Sequence, residues 1–301
     1  MASLIYHAGA LGDFVTTLPA MQLWKADHPG EQLSLLGRPE HGRLAAHLFD
    51  AAWDAGAAEF AGLFSRDEAA EPASTPSAER TPAARFAGIA SALLFAAESS
   101  PLPAAVRRLG VNEVVRQDPF PGSIPGSTMH VVDYHLALFA GRVRDEDRIP
   151  RLPVGGSGSV KRGIALHAGS GSPRKNWPQA RFEELSAMLA ERGEPVAWII
   201  GPAEVDGSPR GSEEAWKSLP LAELAERIAR RRLFIGNDSG VSHLAAAAGC
   251  PTVALFGASD HRVWSPRGPR VRVLASPSGR MEDITVEDVF RVCLDFLGES
   301  R

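Results

Sequence analysis

Residues 234–257 read FIGNDSGVSHLAAAAGCPTVALFG. An apolar run stops at Asp238, Ser239 and Gly240, and an alanine-rich stretch with helical character follows. A second apolar run resumes after Gly249, Cys250 and Pro251. Strand, polar junction, helix and strand in this order form the repeating unit of a parallel sheet. Ser239 is a residue type that caps helices, and the unpaired N–H groups of a helix start carry partial positive charge that holds phosphate. His243 lies one turn in, on the face that looks back toward the junction. Two readings stand at this point: a capped helix with a locally bonded histidine, or a cradle for an anion.

The same alternation runs through the chain twice. In the first half the spacing predicts strands at 3–9, 32–38 and 88–99, with helices at 13–30, 39–50 and 130–141. Residues 65–85 are rich in Pro, Ser, Ala and charge and read as a loop. Residues 142–162 carry charge, Pro and Gly without a hydrophobic period, which predicts the interdomain linker. Alternation then restarts at GIALHAGSG (163–171) and closes with a helix at 285–298. The predicted fold class is α/β, with two parallel-sheet domains, residues 1–150 and 151–301, facing one another across a cleft.

Composition agrees with this. At 301 residues the chain is long for one core and suits two domains of about 150 residues each. Net charge is −4 overall, −6 over residues 1–150 and +2 over 151–301, which argues against nucleic-acid binding and favours an anionic ligand on the second half. No run approaches the roughly 18 to 20 apolar residues of a membrane span, and the start lacks a basic signal-peptide region, so the sequence predicts a cytoplasmic protein. Cys250 and Cys293 are far apart in apolar settings, predicting reduced, buried thiols.

Ligands of parallel α/β sheets collect where strands end and helices begin. Besides the opening stretch, three such loops carry chemistry. HAGALGDF (7–14) has Gly9 and Gly12 for close backbone approach and Asp13 in the first helical turn, where it serves either as a cap or as a reacting acid. HAGSGSPRKNWPQ (167–179) offers Ser170 and Ser172 as donors with Arg174 and Lys175 at a helix entrance, an arrangement that suits an anion or a solvated loop. IIGPAEVDG (199–207) places Glu204 after a strand, where an acid either binds ribose hydroxyls or faces solvent. Asp145–Asp147 satisfies D-x-D, but it sits in the charged linker rather than after a strand, and the nine histidines show no ligand spacing, so no metal is expected.

HAGALGDFVTTLPAMQLWKADHPG, SGSPRKNWP and FIGNDSGVSHLAAAAGCPTVALFGASDHRVWSPRG together resemble glycosyltransferase family 9, the lipopolysaccharide heptosyltransferases. The resemblance implies a GT-B fold, with an acceptor-binding Rossmann-like domain over 1–150 and a nucleotide-sugar domain over 151–301 whose last helix packs back toward the first domain. It implies Asp13 as general base, with His7, Gly9 and Gly12 forming the acceptor-side loop. Lys175 then contacts donor phosphate, helped by Ser170 and Ser172, Glu204 contacts ribose, and Asp238, Ser239, Gly240 and His243 form the diphosphate and sugar segment. His7 stands where the family commonly has arginine. The implied activity is metal-free, inverting transfer of a sugar, heptose from ADP-heptose, to a lipopolysaccharide-core or other saccharide acceptor at the cytoplasmic membrane face. Two alternatives stay open: a GT-B enzyme with another nucleotide sugar or acceptor, and a nucleotide-sugar binding protein without transfer activity.

Overall fold

The computed structural model describes residues 1–65, 81–120, 128–155, 161–201 and 214–298. Glu204 and most of the low-complexity stretch, residues 66–80, lie outside them.

The first half builds β1 (Ala2–His7), α1 (Leu11–Asp27), β2 (Gln32–Gly37), α2 (Pro39–Leu44), β3 (Ala51–Asp54), α3 (Pro82–Phe86), β4 (Ile89–Phe95), α4 (Leu102–Arg108), β5 (Glu113–Gln117) and α5 (Val131–Leu136). Its sheet is parallel throughout, in the order β3-β2-β1-β4-β5. The second half builds β6 (Ile164–His167), α6 (Gln179–Ala190), β7 (Val196–Ile200), β8 (Glu214–Lys217), α7 (Leu221–Ala229), β9 (Leu233–Asn237), α8 (Gly240–Ala247), β10 (Thr252–Phe256), α9 (His261–Trp264), β11 (Val271–Ala275) and α10 (Val286–Gly298). Here too every pairing is parallel, in the order β11-β10-β9-β6-β7-β8. Both are doubly wound sheets. Their strand order reverses between β1 and β4 in the first and between β6 and β9 in the second, which opens a crevice at the carboxyl ends of those strands.

Alternation along the strands assigns residues to layers. Ile5 of β1, Ala165 of β6 and Phe234 of β9 belong to one apolar core that also takes Phe14 and Leu18 of α1 and Leu244 and Ala245 of α8. Leu4 faces a separate core under α4, and Leu166 and Ile235 face another under α6 and α10. The shared core therefore runs between the two sheets along α1 and α8. Those helices can pack closely because α8 consists of Gly, Ala, Ser and Val around Leu244 and His243. Gly249 (φ +76°) adopts the left-handed conformation that ends α8 and turns the chain into β10.

Two expectations are corrected, and a third gains detail. The predicted helix 39–50 ends at Leu44, and its tail turns into edge strand β3. Among the described residues the closing helix α10 packs on α6 in the second half, with Val289 and Cys293 buried in that half's core, rather than toward the first sheet. Residues 142–155 of the expected linker are bound to the body of the protein. Leu152 is buried and its N–H donates to the Ala247 carbonyl at 2.9 Å, while Arg148 pairs with Asp133 of α5. Cys250 and Cys293 are free and buried, and burial pushes both thiols up to about 12.

Candidate active site

The starts of α1 and α8 meet across the crevice, backbone against backbone. A Cβ built on Gly240 would lie 2.9 Å from the Gly12 nitrogen and 3.0 Å from Leu11 Cβ. One on Gly12 would lie 3.4 Å from both Gly240 Cα and His243 Cδ2. Glycine at both positions brings two helix N-termini, each with partial positive charge, to a single point.

At that point opens a cleft of about 560 Å³. Its first-half wall is Ala10, Gly12, Asp13 and Thr16 of the β1–α1 junction, with Phe120 beyond β5. Its second-half wall carries Gly171 and Lys175 after β6, Asp238, Ser239, Gly240 and His243 after β9, and the 258–260 loop with Trp264 after β10. Asp13, Lys175, Asp238, Ser239, Gly240 and His243, widely separated in the chain, thus line one cavity.

Asp13 Oδ2 accepts the Ala10 N–H at 3.3 Å, which closes the first turn of α1. Burial pushes its carboxyl above the usual carboxylate range, against the opposing pull of the Ala10 N–H and the nearby Lys175 ammonium. A half-buried carboxylate of raised pKa is a stronger base than an ordinary aspartate. Lys175 Nζ lies 2.7 Å from Asp238 Oδ2; the lysine is 37% exposed and the aspartate 8%. The buried acid thus anchors an ammonium that still reaches the cleft. Ser239 caps α8, accepting the Ser242 N–H at 3.4 Å, and its hydroxyl lies 3.4 Å from His167 Nδ1. His243 is buried and bonded to the Trp264 backbone; desolvation holds its imidazole down to about 4 despite Asp238, so it is neutral at pH 7.

Other sequence-predicted residues fall beside the cleft. The Ser170 hydroxyl lies 2.7 Å from the Ser172 carbonyl and 2.6 Å from Asn176 Oδ1 and accepts the Ser172 N–H, so Ser170 braces its own loop. His7 is buried under the β1–α1 loop, where a Cβ on Gly9 would come 3.0 Å from its Cε1. Its ring packs edge-on to Phe14 and Phe95, and burial, with His41 and His135 nearby, holds it down to about 3. As a neutral, buried ring it supports the loop and offers no charge to an acceptor, because desolvation outweighs every nearby attraction. Asp147 pairs with Arg144 at 3.1 Å, and Asp145 lies 3.7 Å from Arg148. Among the described residues no cluster of His, Cys, Asp and Glu is arranged to hold a metal.

Some site-shaping residues escaped the sequence reading. Asn237 is fully buried; its Oδ1 accepts the Trp177 N–H at 3.0 Å and its Nδ2 donates to the Ala168 carbonyl at 2.6 Å. It ties the Lys175 loop to the end of β9. Trp177 plugs the same loop into the second-half core, stacking edge-on against Phe182 at 4.9 Å and donating from Nε1 to the Ile284 carbonyl at 2.8 Å. An amide closing an apolar strand was the available signal for Asn237. Phe120 carried none, and Asp260 and Trp264 lay inside the family-like stretch with no role assigned to them.

Comparison with known proteins follows this division. The sequence model of glycosyltransferase family 9 (heptosyltransferase) matches residues 159–293. Lipopolysaccharide heptosyltransferase 3 of Escherichia coli K12 is 37% identical over 103 residues, which is 31% of this chain and 30% of that protein. Lipopolysaccharide heptosyltransferase 1 of Pseudomonas aeruginosa is 38% identical over 92 residues, 29% of this chain and 26% of that protein. These alignments thus span less than a third of either relative. Among solved structures, a family 9 glycosyltransferase from Veillonella parvula matches with a TM-score of 0.77 at 16% identity, covering 99% of this chain and 97% of that one. The E. coli ADP-heptose heptosyltransferase II matches with a TM-score of 0.75 at 18% identity over 100% of both chains. The sequence match to family 9 falls on the half that carries Lys175 and α8, and the likeness of fold to these solved structures runs the length of the chain.

Proposed function

We propose that the protein is an inverting glycosyltransferase that moves a sugar, heptose from ADP-heptose, to a hydroxyl of a saccharide acceptor. In this reading residues 1–150 form the acceptor domain and 151–301 the donor domain. The observation that carries it is the junction where Gly12 meets Gly240, with Asp13 and Lys175 lining the same cleft.

The diphosphate lies at the α8 start, held by the free N–H groups after Ser239 and by Lys175. Charge grows on the departing ADP as the glycosidic bond breaks, so these groups hold the transition state more tightly than the bound donor. Asp13 takes the proton of the acceptor hydroxyl as its oxygen attacks the anomeric carbon from the face opposite the diphosphate. A neutral His243, whose one N–H goes to the Trp264 carbonyl, accepts a hydrogen bond from a donor-sugar hydroxyl without competing for the phosphate. Lys175 and the helix N–H groups supply the positive charge that a metal would otherwise bring. The two relatives named above are lipopolysaccharide heptosyltransferases; the same acceptor class, met at the inner face of the membrane, is proposed here. Among the described residues no helix is long and apolar enough to cross a membrane.

A calorimetric panel of ADP, UDP, GDP and CDP tests the donor. ADP is expected to bind tightest; a preference for UDP or GDP would transfer the protein to a different nucleotide sugar. Binding of ADP together with absence of turnover on every saccharide acceptor would favour a binding protein instead.

A further inference from the structure

The cleft has a part that the chemistry above leaves unused. Phe120 and Trp264 border it from opposite sides, one beyond β5 and the other at the end of α9. Their ring centroids are 6.4 Å apart and their planes are inclined at 58°, so the rings are tilted toward one another rather than stacked. Phe120 is 47% exposed, so its ring is open to a ligand in the cleft. Trp264 is held from both halves of the molecule. It packs on Val131, Val132 and Leu136 of α5, its backbone carbonyl accepts from His243, and the carbonyl of the next residue, Ser265, accepts His130 Nε2 at 2.8 Å.

We propose that Phe120 and Trp264 form an acceptor platform, receiving the apolar face of a pyranose ring and setting one of its hydroxyls toward Asp13. This rests on the sugar-transfer reading of the cleft and adds to it the acceptor's class: a ring-closed sugar, recognised by shape. The C–H groups on one face of a pyranose carry slight positive charge and pack on the electron-rich face of an aromatic ring. The sheet order β10-β9-β6 fixes the side. With a diphosphate at the end of β9, Lys175 and its loop lie on the β6 side and Trp264 on the β10 side. Phe120 comes from the same wall as Asp13, from which the acceptor attacks. A platform built from both halves exists only while they are together, so acceptor binding and the closed arrangement favour one another.

The test is saturation-transfer NMR on the full chain with ADP present, titrating methyl α-D-mannopyranoside and, as an open-chain control, sorbitol. The glycoside's ring protons are expected to receive saturation and sorbitol's to receive none. Phe120→Ala should weaken the glycoside about five- to tenfold. Phe120→Tyr should restore it, and ADP affinity should stay within about twofold in both variants. Trp264→Phe, which keeps a ring, should fall between the two. Equal binding of glycoside and sorbitol, no glycoside binding, or an unchanged affinity in Phe120→Ala overturns the platform. A loss of ADP affinity with the glycoside unaffected overturns it too and gives the rings to the nucleobase. If the wild-type protein binds no ADP, the sugar-transfer reading itself falls, and calorimetry reports that separately from the glycoside titration.

Discussion

Asp13 and Lys175 place opposite charges on the two walls of one cleft, and each makes a separable prediction. Asp13→Asn keeps the shape and an oxygen for the Ala10 N–H but removes the base. Transfer should fall by roughly two to four orders of magnitude while ADP binding holds within a few fold. Burial raises the Asp13 pKa, so its ionised form weakens the fold as pH rises through that value, and removing the charge should not lower the melting temperature at pH 8. Near-normal turnover in this variant would take Asp13 out of the mechanism. Lys175→Ala should weaken ADP more than adenosine, because the contact is to phosphate; calorimetry with both ligands decides, and equal losses would contradict it. This variant also strips a partner from Asp238, which is buried and then carries an uncompensated charge, so the variant should be less stable as well. The residue types at 13, 175 and 238–243 were legible in the sequence because each sits at a strand-to-helix junction. The buried, neutral state of His7 was not, since it depends on Phe14, Phe95, His41 and His135 closing around it.

Among the elements, α1 and α8 set the geometry of the cleft, and their glycine contact is its most constrained point. Gly240→Ala would put a methyl 2.9 Å from a backbone nitrogen of α1, which no side-chain rotation can relieve. The helices would have to separate, at about 1–3 kcal/mol, and the diphosphate cradle would part from Asp13. Thermal unfolding and turnover should both report this; a variant with wild-type melting and activity would show that the junction tolerates separation. The strands that the sequence reading missed are β3, β5 and β8, and all three lie at sheet edges. Their burial alternates or is slight, as in AAWD (51–54) and EAWK (214–217), so they lack the continuous apolar run that marks the central strands. Sheet pairing makes them strands where local pattern is too weak to do so.

Across the whole molecule, five histidines, His7, His41, His130, His135 and His243, are held well below their ordinary value of 6.5, to about 3 or 4. Desolvation is the leading cause for each. A histidine whose folded pKa is depressed takes up its proton more readily when unfolded. Its contribution is therefore complete above pH 6.5 and is lost as pH falls toward 4, at up to about 1.4 kcal/mol per unit for each group. Burial alone would raise the Asp133 pKa, but Arg267 and Arg148 together hold it low, so its contribution is lost in acid as well. The melting temperature is expected to be nearly level from pH 7 to 8.5 and to drop steeply between pH 6.5 and 4. A level profile through that window would show that these rings are not kept neutral. Asp133 also joins the halves: Arg267 Nη1 donates to its Oδ1 at 2.9 Å, while Arg148 grips it from the segment between the sheets. Arg267→Ala should lower stability by about 1–3 kcal/mol and raise the KM for acceptor more than that for donor, which steady-state kinetics at pH 8 would test.

The central strands, the helices that follow them, the parallel sense of both sheets and the residue types at the junctions were legible locally, because apolar periodicity, capping residues and glycines act within a few positions of the chain. Tertiary structure decided which of those junctions share a cleft, that α10 packs with the second sheet, and that Phe120 stands opposite Trp264. Each of these depends on partners dozens of residues apart, held together by a core that α1 and α8 complete between the sheets. No local pattern encodes such a pairing, because burial, and with it every shifted pKa in the cleft, arises only once both halves have closed on one another.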